Sequence, residues 1–257
     1  MTDLRLHQFG PDGAPTLLLL HGLTEAGTAW PDAVRRWRGR WRVVAVDLRG
    51  HGASPRFTAD QHPRSYQVWL DDVLGVLREL PDRPILVGHS LGGLFALRAA
   101  AAVPDLVRGV VLEDPARPTG DVEPDPDLVA AQERFLDAFA DGTAAEKARM
   151  RTDSGWTADE IEAWADCKPL VDRGMIRSGM TLGEADWPDL FDRLVLPTLV
   201  VVPESSDMAP KDGEVANPFV SVARIPGVGH CVRRDDPDAY HALVDPFLAE
   251  TFRAAAG

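Results

Sequence analysis

"ILVGHSLGGLFALRAAA" runs from Ile85 to Ala101, and its reading decides the fold. Three apolar residues lead into a Gly-His-Ser-Leu-Gly-Gly turn, and an Ala/Leu-rich run follows before Pro104. A short apolar run bounded by turn residues fits a buried strand. The Ala/Leu-rich run that follows is helix-forming. Ser90 therefore stands at a strand-to-helix junction. A sharp turn there strains the serine backbone and lifts its hydroxyl above the sheet. The residues two positions away must be small for strand and helix to approach, and they are Gly88 and Gly92. The helix start adds unspent N–H groups and a favourable dipole. A structural serine needs no such setting; a nucleophile does.

Outward from this junction the same alternation recurs. Leu4–Phe9 alternates apolar and polar residues, as an edge strand does. Thr16–Leu20, Val43–Val46, Ile85–Val87 and Val110–Leu112 are continuous apolar runs, the pattern of parallel strands covered on both faces. Thr198–Val202 and Val220–Ile225 supply two more strands. Helical patterns over Tyr66–Leu80, Leu91–Ala102 and Asp238–Arg253 lie between or after them. Strand-helix alternation of this kind predicts an α/β fold with a mainly parallel, doubly wound sheet. From about Pro115 to Leu190 the alternation stops. The loop PARPTGDVEPDPD is followed by helical segments that carry Phe135, Phe139, Trp156, Trp164 and Trp187. The expected organisation is a core of residues 1–115 and 190–257, with a helical cap of residues 116–189 inserted.

The chain has 257 residues, enough for one filled core and an inserted lobe. Its formal charge of −13 excludes a nucleic-acid partner, because phosphate binding needs a basic face. No apolar run is long enough to span a bilayer, so no membrane partner is expected. The start, MTDLRLHQFG, lacks a basic segment followed by an apolar one, so a cytoplasmic location is expected. Cys167 and Cys231 are too few for a disulfide framework or a metal knot, and no cluster has zinc-ligand spacing. Neither a metal nor a cofactor is expected. The oligomeric state is left open.

Four stretches carry a resemblance: HGLTEAGTAW (His21–Trp30), DLRGHGAS (Asp47–Ser54), GHSLGG (Gly88–Gly93) and PGVGH (Pro226–His230). Over nearly its whole length the chain resembles the α/β-hydrolase fold superfamily. A serine hydroxyl needs a base to take its proton, and the resemblance implies His230, in the Gly-rich loop after the Val220–Ile225 strand. It also implies the backbone N–H groups of Leu23 and Leu91 as oxyanion donors. The acid that orients the imidazole has two candidates. Asp207 follows the Thr198–Val202 strand, the commoner location in the family, but stands further along than usual. Asp114 ends the Val110–Leu112 strand, where some branches carry their acid, and is preferred. Glu113 should point away from it, since successive strand residues alternate faces. Gly50 and Gly52 shape a turn near the pocket, with Arg49 expected to pair with Asp47 or a nearby carboxylate.

The lobe's aromatic residues imply a cap over a mostly apolar pocket. The expected substrate is an uncharged, fairly hydrophobic small-molecule ester or lactone, and the negative surface should slow anionic ones. Alternatives on the same residues are hydrolytic C–C cleavage, amide hydrolysis and cofactor-free peroxidation. A non-catalytic binding protein is a further alternative. Dehalogenase and epoxide-hydrolase chemistry is disfavoured, because those branches carry aspartate where this chain has Ser90.

Overall fold

Successive strand residues face opposite sides of a sheet, so a strand such as TLLLL needs cover on both faces. The computed structural model describes residues 2–118, 126–183 and 187–254. Seven strands are β1 (Leu6–Phe9), β2 (Thr16–Leu20), β3 (Arg42–Val46), β4 (Ile85–His89), β5 (Gly109–Glu113), β6 (Thr198–Pro203) and β7 (Val220–Ile225). They form one sheet in the order β1-β3-β2-β4-β5-β6-β7. β1 runs antiparallel to β3, and every other neighbouring pair is parallel. Helices α1 (Pro31–Trp37), α2 (Ser65–Glu79) and α3 (Leu91–Ala102) follow β2, β3 and β4 in turn. Between β5 and β6 come α4 (Pro126–Asp137), α5 (Ala144–Asp153), α6 (Ala158–Asp166), α7 (Arg173–Arg177) and α8 (Trp187–Asp192). After β7 come α9 (Val232–Asp235) and α10 (Pro237–Ala254).

Two cores result, one on each face. Leu18, Leu20, Val44, Leu86, Val110 and Val200 pack with α2, α3 and α8. Leu17, Leu19, Val43, Val87, Val111 and Val201 pack with Trp30, Val34 and Trp37 near α1 and with Tyr240 and Val244 of α10. The doubly wound parallel sheet is therefore present. Helix α8 belongs to the first core: Trp187, Leu190 and Phe191 are buried in it. Trp187, grouped by sequence with the lobe, packs in this core. Leu136 of α4 and Met175 and Ile176 of α7 reach the same core, whereas α5 and α6 send no buried residue into it. Phe139, Trp164 and Ala165 form their own small core, with Phe135, Met150 and Trp156 packed against it. Of the loop between Pro115 and Asp127, residues 119–125 lie outside the described residues.

Candidate active site

The turn at Ser90 has the geometry its neighbours impose. Ser90 has φ 50° and ψ −115°, a strained backbone for a side-chain-bearing residue. Its N–H donates to the Glu113 carbonyl (3.0 Å), and its own carbonyl accepts from the Ala116 N–H (2.9 Å), which pins the turn to the end of β5. A methyl group on Gly88 would sit 2.5 Å from the Gly92 carbonyl oxygen, and one on Gly92 would sit 2.1 Å from that of Leu20. Only glycine fits at either place.

Asp114 and His230 meet across the ends of β5 and β7. His230 Nδ1 donates to Asp114 Oδ2 at 2.7 Å. Asp114 has φ 36°, and its N–H donates to the Val201 carbonyl (2.9 Å), so the carboxylate is held by backbone as well as side chain. Its second oxygen, Oδ1, accepts from Ser206 Oγ at 2.7 Å. The Ser206 oxygen in turn accepts from the N–H groups of Met208 (3.2 Å) and Ala209 (3.3 Å). Ser206 carries no sequence signal of its own: it stands beside Asp207 in PESSDMAP, and its role is set by Asp114, 92 positions away. Asp207 is exposed and makes no hydrogen bond to His230. Asp114 is 1% exposed and the His230 side chain 41%, so the imidazole reaches from the rim toward a buried carboxylate.

Ser90 and His230 line one cavity of about 430 Å³, roofed by Phe135 and Trp164 of the lobe with Met180 and Leu182. Leu23 and Leu91 also line it, and neither spends its backbone N–H on a hydrogen bond among the described residues. Thr24, next to Leu23, has φ 65°.

Glu113, as expected of its strand position, is engaged elsewhere than its neighbour Asp114. Its carboxylate accepts from the Arg233 N–H (2.8 Å) and from Arg233 Nη1 (2.9 Å). Arg234 bonds Glu160 Oε2 through Nε (2.7 Å) and Glu25 through Nη1. Burial alone would raise the Glu25 and Glu113 carboxyls; Arg234 beside the first and Arg233 beside the second hold both below the usual range. His89 completes the cluster. Its Nε2 lies 3.2 Å from the His230 carbonyl oxygen and its Nδ1 3.4 Å from Glu25 Oε2. Nε2 makes a hydrogen bond, Nδ1 makes none, and the Glu25 carboxylate at ion-pair distance from Nδ1 favours the charged imidazole. Burial would push this histidine down, but Glu113, the Cys231 thiol and Glu25 outweigh it and raise its pKa to about 10. Three carboxylates thus face two guanidiniums and one imidazolium.

His7, His21 and the RGHG turn tie loops together. Buried His21 bonds the Gly22 carbonyl through Nδ1 (2.8 Å) and accepts the Leu48 N–H at Nε2 (3.0 Å), tying two loops together. Burial holds His21 and His51 below the ordinary histidine range. Gly50 (φ 80°) and Gly52 (φ 53°) form the turn. Arg49 pairs with Asp72 on α2 (2.8 and 3.0 Å) and not with Asp47. Asp47 instead accepts from His7 (3.0 Å) and from the N–H groups of Gly27 (2.7 Å) and Ala53 (2.8 Å). Cys167 and Cys231 are free thiols. Among the described residues no group of three or more His, Cys, Asp or Glu is placed to hold a metal ion. No described helix is long and apolar enough to cross a membrane.

A mostly parallel sheet wound on both faces, with a serine elbow after β4 and a histidine–aspartate pair bridging the ends of β5 and β7, defines a hydrolase-type α/β protein. The sequence agrees: residues 17–243 match the alpha/beta hydrolase family, and the chain belongs to it. It is 28% identical over 252 residues to 2-(acetamidomethylene)succinate hydrolase of Mesorhizobium japonicum, covering 91% of this chain and 88% of that protein. The fold is shared with N-formylmaleamic acid deformylase from Pseudomonas putida (TM-score 0.74, 22% identity, 94% and 96% of the two chains covered). It is also shared with the enol-lactonase from Burkholderia xenovorans (TM-score 0.73, 21% identity, 96% and 97% covered).

Proposed function

We propose that this chain is a serine hydrolase that cleaves a carboxylic ester or lactone of a small molecule. Ser90 is its nucleophile, His230 its base and Asp114 its acid. The observation that carries the proposal is the 2.7 Å bond between His230 Nδ1 and Asp114. It fixes the tautomer and leaves the other ring nitrogen free to take a proton from Ser90. Ser90 Oγ then attacks the acyl carbon while His230 accepts its proton. Collapse of the tetrahedral intermediate breaks the acyl–oxygen bond, and His230 returns the proton to the leaving alcohol. A water molecule repeats the sequence on the acyl-enzyme and frees the acid. The unspent N–H groups of Leu23 and Leu91, residues of the cavity wall, would donate to the developing oxyanion.

A second reading has its own support. The relative matched over 91% of this chain is named for hydrolysing an acetamido compound, so the same residues would cleave an amide. An acyl-enzyme forms in both cases.

A fluorophosphonate probe tests the proposal and separates it from a non-catalytic binding role. It should label the wild type once, at Ser90, and Ser90→Ala should lose essentially all turnover on a panel of esters, lactones and amides. Labelling elsewhere, or a fully active alanine variant, overturns it.

A further inference from the structure

Lys168 opens a single 3₁₀ turn after α6 and lines the same cavity as Ser90 and His230. It is 3% exposed. Its Nζ donates to the Thr24 carbonyl at 3.1 Å and lies 3.9 Å from Cys167 Sγ. The Trp164 and Phe135 rings stand 5.0 and 5.7 Å away. Ring faces attract a cation but accept no strong hydrogen bond, and one carbonyl leaves an ammonium with donors to spare. No carboxylate among the described residues pairs with it. Glu25, on the same wall, is already committed: one oxygen bonds Arg234, and the other accepts from the Gly22 N–H (3.3 Å) beside His89. The Glu25–Glu113–Glu160 cluster is balanced by Arg233, Arg234 and His89, so Lys168 is not its missing counter-ion. A buried, uncompensated ammonium is costly, and an incoming anion relieves that cost.

We infer that Lys168 is an anion subsite of the substrate cavity, and that the substrate carries a carboxylate away from the bond being cut. The inference rests on the hydrolase assignment and replaces the uncharged substrate expected from composition. One ammonium balances one carboxylate; a phosphate dianion would leave a buried charge unpaired. Around Lys168 the wall is apolar, with Phe135, Trp164 and Leu182, which suits a carboxylate joined to the reacting carbonyl by a hydrocarbon linker. Composition hid this, because a lysine after a short helix reads as solvated until the lobe folds over it.

The test compares mono-p-nitrophenyl esters of adipic, pimelic and suberic acid with the same esters methyl-capped at the far carboxyl. The readout is the ratio of kcat/KM for the charged over the neutral partner. In the wild type this ratio should reach about tenfold or more for at least one chain length, the scale of one charge-assisted hydrogen bond. Lys168→Met should bring it toward one, and Lys168→Arg should keep most of it. A wild-type ratio of one or below at every length overturns the inference. So does an unchanged ratio in Lys168→Met, even with both rates reduced, since that is the signature of a lysine that only holds the Thr24 turn. Calorimetric binding of adipate, pimelate and suberate to Ser90→Ala, with and without Lys168→Met, gives a readout free of turnover. Binding at least tenfold weaker without the lysine supports the subsite; equal or absent binding overturns it. Fluorophosphonate labelling keeps the two claims apart. Labelling at Ser90 without charge preference sinks the subsite alone, whereas lysine-dependent binding without labelling sinks the hydrolase assignment alone.

Discussion

Ser206 holds three partners with one hydroxyl: it donates to Asp114 and accepts two backbone N–H groups of its own loop. Asp114 therefore has one oxygen for His230 and one for the loop after β6, the loop on which Asp207 is exposed. Asp114→Asn should lower kcat by roughly 10⁴, the effect of neutralising a triad aspartate in the serine-protease template, while the fold survives a nearly isosteric change. Asp207→Asn should leave kcat within about threefold. Ser206→Ala should fall between them, at about tenfold in kcat with little change in KM, because it loosens the carboxylate without removing it. Steady-state kinetics on any turned-over ester checks the order, and an Asp207 loss as large as that at Asp114 refutes it. His230 came from the family resemblance, whereas the Ser90 turn could be read from a local signal, its flanking glycines. Ser206, Lys168 and the Arg49–Asp72 pair could not, because each role is set by a partner far along the chain.

At the scale of elements, the elbow is a steric device whose parts were legible because they are contiguous. Gly92→Ala forces a methyl to 2.1 Å from the Leu20 carbonyl oxygen, backbone that cannot swing aside. It should cost about 3 kcal/mol or more, the upper range for overpacking, read as a lower urea midpoint at constant m-value. Gly75→Ala on α2, where nothing lies within 4 Å of the new methyl, should instead stabilise by about 1 kcal/mol through helix propensity. A Gly92→Ala variant as stable as wild type would mean the elbow is looser than drawn. The central strands were legible because their apolar runs are bounded by turns. β1 was read from Leu4 yet pairs only from Leu6, since alternation reports burial: Leu4 is buried but outside the ladder. The seven-residue α1 and four-residue α9 escaped, being too short for a helical period to show. Trp187 was assigned to the lobe because an aromatic residue in a helical stretch does not reveal which core receives it.

For the molecule as a whole, the buried ionic cluster draws on distant parts of the chain. Glu25 comes from the loop after β2, His89 from β4, Glu113 from β5, Glu160 from α6 of the lobe, and Arg233 and Arg234 from α9. It joins lobe to sheet directly behind the Ser90 turn. No sequence pattern announces it, because the pairs span up to 209 positions and six ordinary charged residues carry it. Its charge balance depends on protonated His89, which yields a pH signature. The groups facing the ring are Glu25, Glu113, Cys231, the His230 carbonyl and the His230 imidazole, whose centroid is 4.7 Å away, and its folded pKa of about 10 lies above the unfolded value near 6.5. A raised pKa means that the folded state holds the proton more tightly. The stabilisation is then complete below about pH 6.5 and is lost as pH rises through about 10. His89→Gln removes the titration but keeps much of the volume. The Tm gap between wild type and His89→Gln should be widest near pH 6 and narrow by several degrees on approaching pH 10, measured in buffers of matched ionic strength. A gap that stays constant or widens over that window would show His89 to be neutral in the folded protein, leaving the cluster with an excess carboxylate. The direction of the slope therefore decides whether the cluster balances its own charge.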